Sequence, residues 1–445
     1  MNCFQSLTAH SFYNMKIRNE NLHHAMKAYV SAAIEFVTDR AKEANDSSGG
    51  DDFDFYWVHM RYSSDLTQVP QYKRCLKELA EDNEVGKHLD QNVSSYIRGG
   101  HTVSIAKMMN RVLELGRRDN SYEFDSERFE KEYSLFEETF YSDVLMCEAI
   151  APLQGLLLEV PVVSLSPDTE VSQLEEGEMK PYRSPGSYWD NRWCAVRVKY
   201  QLPKLISDQR SQNRLPKMEE ERAIEDKANE TVEDVVNALR LMGKRDVYHS
   251  GIIHQTSKWL SIQHHSVANR VLGAGFISYQ FGEGEAQSLK ALWNKLDMPV
   301  VKKELDVAVR RFGDSCVRHR DEDKLIDLMI AAESLFLRGT KEGEKSFRLA
   351  LRAAQFLGEG AAASKEVYDR MRLAYYYRSA LVHGAKPSSD RKLKKVDLMK
   401  FAGEVGDDIQ SAIFKALNLL GTAEIGGSLG DDYWNGYLFG RNAES

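Results

Sequence analysis

The sequence predicts an α+β protein, predominantly helical, with mixed α/β N-terminal regions followed by a C-terminal helical bundle. Three observations predict it. Apolar residues recur at helical spacing through five successive segments between residues 296 and 421. Short β-rich runs, Leu156–Leu165 and Ala195–Leu202, punctuate residues 141–295. No stretch repeats itself at the roughly 20–50-residue period of a solenoid. The chain has 445 residues, 42% apolar and 28% charged, which is ample for real cores. At roughly 100–200 residues per domain, that length suggests two to four domains.

The first region, residues 1–140, reads as mixed α/β of unknown role. Leu22–Ala44 carries Ala25, Tyr29, Ala32, Phe36 and Val37 at helical spacing, and the run from Asp46 reads as the loop that ends it. Phe53–Tyr62 is rich in aromatics and suits a strand. Polar helices follow over Tyr72–Leu89, Val103–Leu115 and Ser126–Phe140.

The second region, residues 141–295, reads as an α+β sensor or regulatory domain. Pro161 places the Leu156–Leu165 strand at an edge or interrupts it. Glu175–Arg192 reads as a surface loop and Glu219–Met242 as a long helix. Asp246–Phe281 supplies further strands.

The third region, residues 296–421, is the bundle. Its helices are expected over Leu305–Val317, Lys324–Leu337, Glu344–Leu357, Ser364–His383 and Val396–Leu420. Gly358 stands where a left-handed residue ends a helix, and Ser364 where a hydroxyl caps the next. Gly384 followed by Pro387 is a stop signal. Residues 422–445 form a Gly-rich, aromatic tail that either docks or stays free.

Composition excludes several classes. No apolar run approaches the ~18 residues of a membrane span, so no membrane partner is expected. The N-terminus lacks a basic segment followed by an apolar one, so no secretory signal is expected. Cys3, Cys75, Cys147, Cys194 and Cys316 form no C-x-x-C pair, which fits a reducing, cytoplasmic setting. The net charge of −8 argues against wholesale nucleic-acid binding. The charge is uneven, however: Val300–Ile425 holds 23 Lys+Arg against 19 Asp+Glu, and the remainder 36 against 48.

The helix over Ser364–His383 carries the most chemistry. Its apolar stripe runs Val367, Met371, Ala374, Leu381 and Val382, and Arg378 falls in the middle of it. A guanidinium there needs a partner or a site. Glu333, which interrupts the apolar run of the Lys324–Leu337 helix, is the candidate partner. His383 lies five residues beyond Arg378, about 140° around an ideal helix, and shares a face with Ser379. Two readings stay open here: a buried structural ion pair with a histidine at a helix C-terminus, or a polar site.

The stretch Asp327–Gly384 resembles the Apea-like branch of the HEPN domains (higher eukaryotes and prokaryotes nucleotide-binding). The hallmark of that family is an arginine, four to six residues, then a histidine at the end of a bundle helix. Here it stands as Tyr-Arg-Ser-Ala-Leu-Val-His-Gly at 377–384. The upstream segments Ala-Ala-Glu-Ser-Leu-Phe (331–336) and Phe-Arg-Leu-Ala-Leu-Arg-Ala-Ala (347–354) are similar too, in the same order. A second Arg-x4-His pair, Arg18 and His23, precedes a helix and lacks the flanking pattern.

The resemblance implies a HEPN-type bundle acting as a metal-independent, cofactor-free endoribonuclease. It implies a homodimer through the bundle and an RNA substrate. Arg378 would bind the scissile phosphate, His383 would be general acid or base, and Ser379 would orient one of them. Glu333, Arg348 and Tyr377 would support the site, the first two by fixing Arg378. Family analogy adds bacterial antiphage or toxin-like defence. The N-terminal two-thirds would then sense a phage-derived or protein trigger, or hold the enzyme inactive. The alternative is a catalytically inactive HEPN dimerisation module that binds RNA or protein. HEPN toxins silenced by nucleotidyl transfer carry a tyrosine two residues after the histidine; Ala385 stands there, so that control is not implied.

Other constellations are weaker. Arg391, Lys392, Lys394 and Lys395 form a basic run suited to an RNA backbone, or to an ordinary solvated helix start. His249, His254, His264 and His265 lack matching carboxylates or cysteines, and no metal site is expected. Gly273-Ala-Gly lacks the third glycine of a dinucleotide loop.

Overall fold

The structure, a computed structural model, describes residues 17–48, 65–86, 92–93, 101–102, 123–174, 192–203, 214–249, 251–256, 263–266, 279–340, 343–384, 393–420 and 428–439. The fold is α+β and predominantly helical. The helices are α1 (Glu20–Ser48), α2 (Pro70–Glu81), α3 (Asn83–Gly86), α4 (Ser126–Tyr141), α5 (Arg214–Leu241), α6 (Glu283–Leu296), α7 (Pro299–Cys316), α8 (Asp321–Phe336), α9 (Lys345–Leu357), α10 (Ala361–Val382), α11 (Leu398–Leu420) and α12 (Asp431–Phe439). The strands are β1 (Asn92–Val93), β2 (His101–Thr102), β3 (Val144–Gln154), β4 (Leu156–Leu158), β5 (Val162–Ser166), β6 (Thr169–Gln173), β7 (Cys194–Pro203), β8 (Tyr248–His249), β9 (Ile252–Thr256), β10 (Gln263–Ser266) and β11 (Tyr279–Phe281).

The chain divides into two compact units. One comprises Met1–Ala149, Lys199–Ala228 and Ile253–Ser266; the other comprises Ile150–Val198, Asn229–Ile252 and Val267–Ser445.

In the first unit, Leu22, Met26, Tyr29, Ala33 and Val37 of α1 join Phe129, Phe136 and Phe140 of α4 in one core. Their 3- and 4-residue spacings are what put each set on one helix face. The parts of β10, β9, β3 and β7 that fall in this unit stand in that order. Helix α1 runs through Asp46 to Ser48, past the expected loop start. Asp and Ser cost a helix less than the Gly49-Gly50 pair behind them, so the glycines are the stronger breaker. The expected strand over 53–62 and helix over 103–115 lie outside the described residues.

The second unit holds an antiparallel β5-β6-β7 meander, with Val163 opposite Val171 and Val171 opposite Val196. Strand β4 pairs in parallel with β11. The run Leu156–Leu165 is broken at Glu159–Pro161, as the proline demands.

The bundle occupies the rest of this unit. Helix α7 packs on α8, α9 on α10, and α11 against both α7 and α8. Of the apolar stripe Leu398, Ala402, Val405, Ile409, Ile413, Ala416 and Leu420 on α11, all but the half-buried Leu398 are buried. Arg370 of α10 makes a two-pronged bond to Asp408 of α11, at 2.6 and 2.9 Å.

Two capping expectations are corrected. Gly358 is extended (φ −76°, ψ 127°), not left-handed. It must be glycine because a Cβ there would lie 2.5 Å from the Cα of Ser364. Ser364 is not the cap but a helical residue, its N–H bonding to the carbonyl of Gly360; Gly360 holds the N-cap position.

The tail docks. Trp434 of α12 is fully buried, its ring against Phe336 and Phe356, and its Nε1 donates to the Leu335 carbonyl at 3.1 Å. Trp434→Ala is therefore expected to cost about 3–5 kcal/mol of stability in urea unfolding. Trp434→Phe, which keeps one aromatic ring there and loses the indole bond and part of the ring volume, should cost less.

Candidate active site

The candidate site is built on the C-terminal ends of α8 and α10. Glu333 sits in the last turn of α8, where its carbonyl accepts the N–H of Leu337. Its carboxylate lies 3.6 Å from Nη2 of Arg378 on α10. That is an ion-pair separation, beyond hydrogen-bond length. Each side chain is about a quarter exposed, at 27% and 26%. The Nε of Arg378 is buried without a hydrogen-bond partner. Arg378 is thus anchored but not saturated: a guanidinium carries five N–H donors, and this one has capacity for an anion.

The apolar stripe expected around Arg378 is shorter than its pattern suggests. Val367, Met371, Ala374 and Tyr377 are buried, but Leu381 is half-buried and Val382 is 55% exposed. The helix is leaving the core at this point, which is why an arginine is tolerated.

His383 is exposed and forms the C-cap of α10 (φ −89°, ψ 11°), its N–H bonding to the Ser379 carbonyl at 3.1 Å. Gly384 follows at φ 74°, a left-handed conformation that ends the helix where glycine can adopt it. Ser379 is half-buried one turn before His383. Tyr377 is buried; burial, reinforced by Glu322, pushes its hydroxyl pKa up, so it serves as neutral packing on α10.

Arg348 is a correction. Its guanidinium faces Asp431 of α12 at 3.8 Å, and not the Glu333–Arg378 pair. The arginine that matters on α9 is Arg352, one turn on. It is 1% exposed, donating to the Phe336 carbonyl (2.6 Å), the Thr340 hydroxyl (3.1 Å) and the Asp431 carboxylate (2.5 Å). Thr340 completes the ring by donating to Asp431 at 2.7 Å. With the Trp434 bond to Leu335, this fixes the last turn of α8, on which Glu333 stands. The sequence signal was available: Arg352 shares a stripe with Leu349 and Phe356, the same displaced-charge pattern as Arg378.

Of the basic run, Lys395 is exposed in the single turn Leu393–Lys395. Arg391, Lys392 and the side chain of Lys394 lie outside the described residues, as do Ala385 and Gly273-Ala-Gly. His254 is buried, with a ring nitrogen 2.7 Å from the Tyr200 hydroxyl, and His249 meets Glu233 at 2.7 Å. Among the described residues, no three His, Cys, Asp or Glu side chains converge as metal ligands would. Nor, among them, is any helix long and apolar enough to cross a membrane.

Arg18 and His23 serve the first unit's packing. Arg18 Nη1 donates to the Tyr141 carbonyl, and His23 is buried against Glu130 at 2.8 Å.

Comparison of this chain with protein-family models, with curated proteins and with solved structures gives no match.

A small cleft of about 30 Å³ in the second unit is lined by Asp234, Trp293, Asp297, Lys302, Leu305 and Asp306. Lys302 pairs with Asp297 at 2.6 Å. Burial, opposed by Lys302 and reinforced by Asp306, pushes Asp234 up to about 6. A carboxyl raised on folding binds its proton more tightly in the folded state, so stability falls as pH rises through about 6. Asp234→Asn should stabilise the protein on the order of 1–2 kcal/mol at pH 8 and little at pH 4. Thermal unfolding at the two pH values measures the difference.

Proposed function

We propose that this chain is a metal-independent endoribonuclease. A ribose 2′-hydroxyl attacks the adjacent phosphorus, the bond to the 5′-oxygen breaks, and a 2′,3′-cyclic phosphate and a 5′-hydroxyl result. Arg378 binds the phosphate and stabilises the extra charge on its oxygens as five ligands gather round phosphorus. His383 takes the proton from the 2′-hydroxyl or returns one to the leaving oxygen, since imidazole can do either near neutral pH. Ser379 orients His383 or the phosphate. Two copies meeting through the bundle would bring two such pairs to one cleft. Bacterial antiphage or toxin-like defence is the cellular setting proposed, by family analogy.

One observation carries the reading. Arg378 is held by a 3.6 Å ion pair, longer than a hydrogen bond, five residues before an exposed histidine at the same helix end. Arg352, by contrast, commits both terminal nitrogens to short bonds, although its Nε, like that of Arg378, is without a partner. A second reading, an RNA- or protein-binding bundle without cleavage, is favoured by the roughly 140° that a regular helix sets between positions 378 and 383.

The test is cleavage of total RNA in EDTA by the full-length protein. Arg378→Ala and His383→Ala should each slow it at least about 100-fold with folding retained. RNA that stays intact but bound supports the second reading. Unfolding of Arg378→Ala alone, with His383→Ala fully active, makes Arg378–Glu333 a structural pair.

A further inference from the structure

Helix α10 has a second face, largely exposed, that meets α9 through Tyr368 and does not include Arg378. It carries Lys365, Tyr368, Arg372, Tyr376, Ser379 and His383. The steps are of three or four residues, so all six fall within an arc of about 80°. Lys365, Arg372 and His383 are exposed, Tyr376 is 46% exposed, and Tyr368 and Ser379 are half-buried.

Cations and rings on this face are in contact. The Arg372 guanidinium carbon lies 5.8 Å from the Tyr368 ring centre, and its Nη1 donates to the Tyr368 hydroxyl at 3.3 Å. The Lys365 ammonium lies 5.8 Å from the same ring. Phe347, 42% exposed at the start of α9, meets Tyr368 edge-on at 6.2 Å. Lys365 also pairs with Asp369 at the border of the arc. Arg372 has no carboxylate partner among the described residues.

We propose that this face is a binding track for single-stranded nucleic acid, with bases stacked on Tyr368 and Tyr376 and phosphates met by Lys365 and Arg372. It rests on the ribonuclease reading for the choice of RNA and for its direction, which leads the strand to His383. Aromatic faces accept any base, and neighbouring cations hold the backbone. The two tyrosines are about 12 Å apart along the helix. That is several times the ~3.4 Å step of stacked bases, so it suits splayed bases and not a duplex. A protein partner of acidic character would use the cations but not the ring spacing. A second copy of this chain would bring the same cations face to face.

Binding can be measured apart from cleavage. A fluorescein-labelled 12-mer of 2′-O-methyl uridylate has no 2′-hydroxyl to attack, and its fluorescence anisotropy reports binding to the full-length protein. Tyr376→Ala should weaken binding about tenfold, while Tyr376→Phe stays within about twofold. Arg372→Ala should weaken it and flatten the salt dependence by about one phosphate contact. A 12-base-pair duplex should compete poorly. Circular dichroism checks that each variant is folded.

Three results overturn the track: no binding by the wild type, tyrosine variants that bind as the wild type does, or a duplex that competes as well as the single strand. Light scattering that shows Tyr376→Ala splitting a dimer, with oligonucleotide binding intact, makes the face a contact between copies and also overturns it. The two proposals fail separately. Tyrosine-dependent binding without cleavage of natural RNA removes the nuclease and leaves the track. Cleavage that needs Arg378 and His383, with unchanged KM in the tyrosine variants, does the reverse.

Discussion

A buried guanidinium organises the second unit. Arg352 is almost wholly inside the bundle, and a charge there is tolerated only when its donors meet acceptors. Those acceptors come from three places: the end of α8, Thr340 just beyond it, and Asp431 at the first turn of α12. Removing any of them leaves a desolvated charge, so the arrangement forms as a whole. One consequence is that the carbonyls of Leu335 and Phe336, which a helix end leaves without backbone partners, are met by side chains. The last turn of α8 is therefore rigid, and Glu333 projects from it. Asp431 is in turn held below its usual carboxyl range by Arg352 and Thr340. A depressed carboxyl stabilises the fold above its usual range and loses that contribution as pH falls through it, so the clasp is intact at neutral pH.

Arg352 and Arg378 differ in how their donors are spent. The Nε of each is idle, but the terminal nitrogens of the first are committed to short bonds, while the second has a 3.6 Å ion pair. An arginine in the second condition is costly to the fold, because part of a cation has lost water without gaining partners. An incoming phosphate would meet the partly exposed end of the guanidinium and not the buried Nε. Glu333 holds the guanidinium in place, yet at this separation it leaves the donors available. A closer carboxylate would compete with the phosphate.

Much of this was legible from residue spacing, and the failures have physical causes. The five bundle helices follow from apolar periodicity, and Gly384 from the link between glycine and left-handed helix ends. Strand β3, Val-Leu-Met-Cys-Glu-Ala-Ile-Ala-Pro-Leu-Gln, was missed because five consecutive residues from Ala149 to Leu153 are buried, so it shows no alternation. Helix α12 was missed because its nine residues are too few to signal a helix alone; tertiary contacts through Trp434 and Asp431 make it. Gly358 was misread because sequence does not distinguish a glycine needed for handedness from one needed for close approach. The choice of Arg348 over Arg352 was an error of face. The two lie one turn apart, and only Arg352 falls on the stripe of Leu349 and Phe356.

Net charge bears on how such a protein could meet RNA. At −8 overall, the chain repels a polyanion at distances where its charge acts as one. Beyond a Debye length of about 8 Å that repulsion is screened at physiological salt, so contact is decided locally. Affinity would then come from a few phosphate contacts and from stacking, and stacking does not weaken with salt as counterion release does. A basic protein binds every nucleic acid it meets and gains specificity with difficulty. The proposed cationic and aromatic face would favour a strand whose bases are free to leave their neighbours. A net charge of −8 is thus compatible with the proposed single-strand binding, which a local cationic and aromatic face would carry.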